Sequence, residues 1–162
     1  LSRFFATGKR IAVQYNGKKT NREQWLSILS RLDVSCLENT WQKLNVPQTY
    51  TWIRGAETGS VMVRGRMGGN GARFNMGEMT VTRATVRLDD GTIGFGYTKG
   101  RAHRKAELVA LLDARFQRDP AAADRHIPPL AEALATARAE QSRKAAATKV
   151  DFFTLVRGEN AK

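Results

Sequence analysis

Acidic residues are scarce in this chain: 15 Asp and Glu face 27 Lys and Arg, leaving a formal charge of +12 on 162 residues. That imbalance disfavours basic partners and calls for an anionic one, whether nucleic acid, anionic membrane, phosphorylated ligand or acidic protein surface. Cysteine is rarer still. The single Cys36 excludes an internal disulfide framework and fits a reducing, cytoplasmic setting. It lies on an apolar helical face with no second Cys or His beside it, so it reads as a structural thiol. Histidine occurs twice. His103 and Glu107 have the one-turn spacing of two metal ligands, but His126 falls in a proline-broken stretch, and no metal site is assigned. No apolar run approaches the roughly 20 residues of a membrane helix. There is no GxxxxGK[ST] loop, GxSxG elbow or CxxC, and Gly69-Asn70-Gly71 opens like GxGxxG only to meet Phe74 at the last place. The carboxylates are scattered, so no acid–base pair stands out and no catalytic residue is assigned.

What is present centres on RGRMGGNGARFNMGEMTVTRATVR, Arg64 to Arg87. Gly68, Gly69, Gly71 and Gly77 suit a tight bend, which either turns the chain or curves backbone N–H groups around a ligand. The run that follows alternates, with Thr80, Thr82, Ala84, Val86 and Leu88 on one face and Met79, Val81, Arg83, Thr85 and Arg87 on the other. Arginines interleaved with Trp52, Phe74 and Tyr97 invite a nucleic-acid reading, although no RNA-recognition, KH or helix-turn-helix signature accompanies them. Arg66, Arg73, Arg83 and Arg101 are the candidates for binding an anion or a partner.

In chain order, residues 1–20 are basic and lack a steady period, and are expected to be a disordered extension; residues 21–162 then form one domain. Asn21 and Gln24 make a capping box for a helix through Trp25, Ile28, Leu29 and Leu32. Ser35 is expected to cap a second helix ending before Pro47, completing an N-terminal helical hairpin. From Thr49 the period becomes two. Strands are expected through Tyr50–Arg54, Val61–Arg64, Met79–Leu88 and Ile93–Tyr97, with GAETG (Gly55–Gly59) and Asp90-Gly91 as turns and the aromatics facing a helix layer.

A helix should follow Gly100, burying Ala102, Ala106, Val109, Leu112 and Phe116. Arg101, His103, Arg104 and Lys105 crowd its first turn, where the helix dipole disfavours cations unless an anion binds there. RDPAAADRHIPP is expected to be a linker. Leu130–Thr148 should be a C-terminal helix with a narrow apolar face that lies along a surface or awaits a partner. VDFFTLVRG, with Phe152, Phe153 and Leu155 as interface candidates, should add a strand or dock on another chain. The fold class is therefore α+β: an antiparallel sheet of about four to five strands with helices packed on it, an N-terminal helical hairpin and a C-terminal helix.

IRGAETG, RMGGNGARF, GEMTVTRATVRLDDGTIGFGY, GRAHRKAEL and VDFFTLVRGENA, in that order over residues 21–162, resemble the PhnG family. The resemblance implies a cytosolic subunit of the carbon–phosphorus lyase core complex, with PhnI, PhnH and PhnJ as partners. That system displaces adenine from the ribose of ATP with a phosphonate, giving a ribose 1-alkylphosphonate 5-triphosphate. It further implies that this chain is accessory and carries no cofactor. ATP is a substrate of the complex, the nucleosidase chemistry belongs to PhnI, and the iron–sulfur cluster and S-adenosylmethionine belong to PhnJ. The alternative is a free-standing nucleic-acid-binding module.

Overall fold

The computed structural model describes residues 21–44 and 49–148. The expectations for residues 1–20 and for Phe152, Phe153 and Leu155 lie outside these residues. Helix α1 (Arg22–Leu29) starts where the capping box places it. The Asn21 side chain accepts from Gln24 N–H at 2.9 Å, and the Gln24 side chain accepts from Asn21 N–H at 3.2 Å. Helix α2 (Val34–Lys43) follows after a short turn, with Asp33 rather than Ser35 at its N-cap.

Among the described residues three strands form one antiparallel sheet in the order β1 (Tyr50–Arg66), β2 (Arg73–Leu88) and β3 (Ile93–Lys99). This corrects the four strands expected over these residues to three, because GAETG does not turn the chain; the further strand expected within residues 150–158 lies outside the described residues. The β1–β2 register slips between Trp52 and Arg54 and again between Arg54 and Glu57, the second slip containing Gly55, while Gly59 pairs regularly with Val81. Bulges absorb the extra residues, and two expected strands become one long, twisted strand. The reversal comes at Met67–Asn70, where Gly68 and Gly69 take φ of 59° and 88°. Strand β3 pairs only with Val81–Arg87, so the distal halves of β1 and β2 continue beyond it as a two-stranded ribbon.

Helix α3 (His103–Arg118) lies between the sheet and the other helices and is buried nearly all round. One side carries Leu108, Val109, Leu112 and Phe116 into a cluster with Trp25, Ile28, Leu29, Leu37 and Ile127. The other side is Ala106, Ala110 and Ala114, at four-residue spacing, packed on Ala84, Val86 and Leu88. Opposite the alanines stand Gly94 and Gly96, where an added Cβ would overlap the carbonyl oxygens of Ala110 and Ala106. The close approach requires the alternation of β3 to turn its glycines inward. Phe95 and Tyr97 therefore face outward, 49% and 50% exposed, correcting the expectation that they meet the helix layer.

The expected linker after Phe116 is also overturned. Helix α4 runs unbroken over Pro120–Ala147, with Pro120 in its first turn and the Asp119 side chain accepting from Ala122 N–H at 3.2 Å. Proline at the start of a helix loses no intrahelical bond. Pro128 and Pro129 each remove a donor farther along, but buried Ile127 and the packing of Leu130, Ala131 and Leu134 on the helical cluster hold the helix through them. From Ala135 to Thr148 every residue is exposed.

Candidate functional site

The four candidate arginines do not gather into one site. Arg66 and Arg73 face each other as the last pair of the ribbon, where the Arg66 guanidinium donates to the Gly71 carbonyl at 3.2 Å. Arg83 lies ten positions back along β2, about 33 Å away at the strand rise. There its Nε donates to Glu57 Oε1 at 2.8 Å, and Arg54 shares the same carboxylate at 3.2 Å. Arg101 is exposed on the helix side of the sheet. It follows Gly100, whose carbonyl accepts from Thr82 Oγ1 at 2.6 Å, and precedes Ala102, whose N–H donates to the same hydroxyl at 3.0 Å.

The glycine bend closes on itself. Met67 N–H donates to Ala72 O at 3.3 Å, and Gly71 N–H returns to Met67 O at 2.8 Å. It turns the hairpin and does not present those donors as a phosphate cradle. The cationic first turn of α3 likewise finds partners within the chain. His103 Nε2 lies 2.8 Å from Thr58 Oγ1, and Arg104 reaches Glu38 at 3.0 Å and Glu107 at 3.9 Å. Burial pushes the Lys105 ammonium below its ordinary value, with the Asp33 charge opposing the shift. Glu107 thus faces a guanidinium, and among the described residues no three His, Cys, Asp or Glu side chains cluster as metal ligands.

Two features escaped sequence reading. The first is Asp113, fully buried in α3. Its carboxylate accepts from Arg22 Nε at 3.1 Å and Nη2 at 2.7 Å, Trp25 Nε1 at 2.9 Å, Phe95 N–H at 2.9 Å and Gln117 Nε2 at 3.1 Å. Arg22 also lies over the Phe95 ring, 5.4 Å from its centroid. This node joins α1, α3 and the outer edge of β3. A clue was available, since Asp113 interrupts the apolar run LVALLDARF.

The second is the sheet face opposite the helices. Register puts Ile93 beside Arg87, Phe95 beside Thr85 and Tyr97 beside Arg83 on that face. The same face continues along the ribbon through Val61 with Met79 and through Gly65 with Phe74. Apart from Arg22 over the Phe95 ring no described element covers it, and Ile93, Phe95, Tyr97, Met76 and Phe74 are all exposed. Exposed apolar side chains gathered on one face mark a surface suited to binding a macromolecule. Among the described residues no helix is long and apolar enough to cross a membrane.

Comparison with known proteins agrees with this picture. The family described as "Phosphonate metabolism protein PhnG" matches residues 20–158. A Rhizobium meliloti (strain 1021) protein, alpha-D-ribose 1-methylphosphonate 5-triphosphate synthase subunit PhnG, is 44% identical over 143 residues, covering 86% of this chain and 90% of the relative.

Proposed function

Because the chain belongs to the PhnG family, we propose that it serves as the corresponding subunit of an alpha-D-ribose 1-methylphosphonate 5-triphosphate synthase in phosphonate metabolism. The observation that carries this reading is the 44% identity, which extends over 90% of a relative bearing that name. The complex joins a phosphonate to the ribose of ATP with loss of adenine. Bond making belongs to other subunits, and this chain organises them. In support, an apolar sheet face is left open.

The partners are PhnI, PhnH and PhnJ, with PhnI supplying the nucleosidase chemistry and PhnJ the iron–sulfur cluster and S-adenosylmethionine of the later step. Arg66, Arg73, Arg83 and Arg101 contribute to partner or anion binding at separate places, and Phe152, Phe153 and Leu155 form a further apolar contact. The test is co-expression of the tagged chain with and without those three subunits. A stable assembly whose ATP- and phosphonate-dependent adenine release needs this chain is expected. A monomer that ignores them and instead binds DNA or RNA with steep salt dependence would reverse the reading.

A further inference from the structure

We propose that the open face of the sheet is the seat of a partner protein whose surface is apolar at its centre and acidic at its rim. The inference rests on the subunit reading above and adds which surface of this chain meets the partner and what the partner offers. The centre is Ile93, Phe95 and Tyr97 on β3, 39–50% exposed, continued onto the ribbon by half-buried Val61 and Met79. Large apolar side chains side by side on a rigid strand form a pre-ordered contact, and aromatics are the residues that dominate interface cores.

The rim decides the partner's sign. Arg54, Arg83, Arg87 and Lys99 border the centre, against one carboxylate, Glu57, which two of the arginines share. The nearby Asp89 and Asp90 are both held by Arg118, at 3.0 Å and 3.3 Å. The face therefore keeps a cationic excess, which disfavours stacking against a second copy of itself and matches a carboxylate-rimmed surface. A nucleic acid would use the same charge, but aliphatic Ile93, Val61 and Met79 are interspersed with the aromatics of this face, and two of the arginines are already engaged by Glu57. Those features favour protein over a base-stacking platform.

The test places the photocrosslinker p-benzoylphenylalanine at Tyr97 in the full co-expressed assembly, beside Tyr97→Asp and Arg87→Glu chains and an Ala139→Asp control on the exposed end of α4. Melting of each free chain by circular dichroism verifies folding. The expected result is a crosslink to an Asp- and Glu-rich surface of a partner subunit. Tyr97→Asp and Arg87→Glu should each weaken assembly by about tenfold or more, the latter most at low salt, while the control assembles normally.

A crosslink joining two copies of this chain overturns the proposal, as does one to co-purifying nucleic acid. Assembly of both face variants at wild-type strength with no crosslink from position 97 overturns it too, while leaving the subunit reading intact. Failure of the wild-type chain to assemble at all removes both.

Discussion

One carboxylate, Asp113, accepts hydrogen bonds from α1, from the outer edge of β3 and from its own helix. Removing it leaves the Trp25 indole N–H and the Phe95 amide without that acceptor in a buried setting, whereas the Arg22 side chain is 41% exposed and can turn to water. Asp113→Ala should therefore lower stability by about 2–4 kcal/mol, and Arg22→Ala, which leaves the fully buried carboxylate without its cation, by about 3 kcal/mol, both measured by urea unfolding. His126 offers a second test at this scale. Partial burial, with help from the charges of Arg125 and Lys43, pushes its imidazole below the ordinary 6.5. The unfolded chain then takes up the proton first on acidification. His126 imposes no cost above pH 6.5, where both states hold it neutral, and stability is lost as pH falls through that value towards the depressed folded one. His126→Gln should flatten that part of the Tm-against-pH curve while leaving Tm at pH 8 nearly unchanged. At this scale the sequence was half legible. The capping box at Asn21 followed from local chemistry, but the partners of Asp113 lie far away along the chain and no local pattern announces them.

Elements were legible where periodicity alone decides them and misread where glycine or proline was taken as punctuation. Gly55 accompanies a bulge and Gly59 pairs regularly in a strand that continues, and Pro120 starts a helix that Pro128 and Pro129 do not stop. Gly94 and Gly96 exist because a helix backbone lies against them, which inverts the expected orientation of β3. Gly94 and Gly96 serve a tertiary contact that a one-dimensional pattern does not contain. The contrast can be measured. Gly96→Ala should cost about 1–3 kcal/mol by overpacking against Ala106, while Gly59→Ala, with nothing near its Cβ position, should stay within about 0.5 kcal/mol in the same urea titration.

Across the whole molecule, stability and binding occupy different regions. The helical cluster and the alanine side of α3 hold the core, whereas the ribbon beyond Gly59 and Val81 has no third strand. Replacing Met62–Glu78 by Asn-Gly should shift Tm by no more than the roughly 2–4 °C that 1 kcal/mol represents for a chain of this size, while abolishing whatever the ribbon contacts in the assembly. The composition of that ribbon has a further chemical consequence. All four methionines of the chain, Met62, Met67, Met76 and Met79, lie on it or at its tip, and the first three are 52%, 71% and 65% exposed. Thioether oxidation is therefore confined to the projecting arm and spares the core. Mild peroxide should add oxygen to Met67, Met76 and Met62 before Met79, as read by peptide mass spectrometry, without changing Tm. A chain damaged in this way would keep its fold and be altered only on the arm, so oxidant exposure would be recorded in what the protein can join, not in whether it stands.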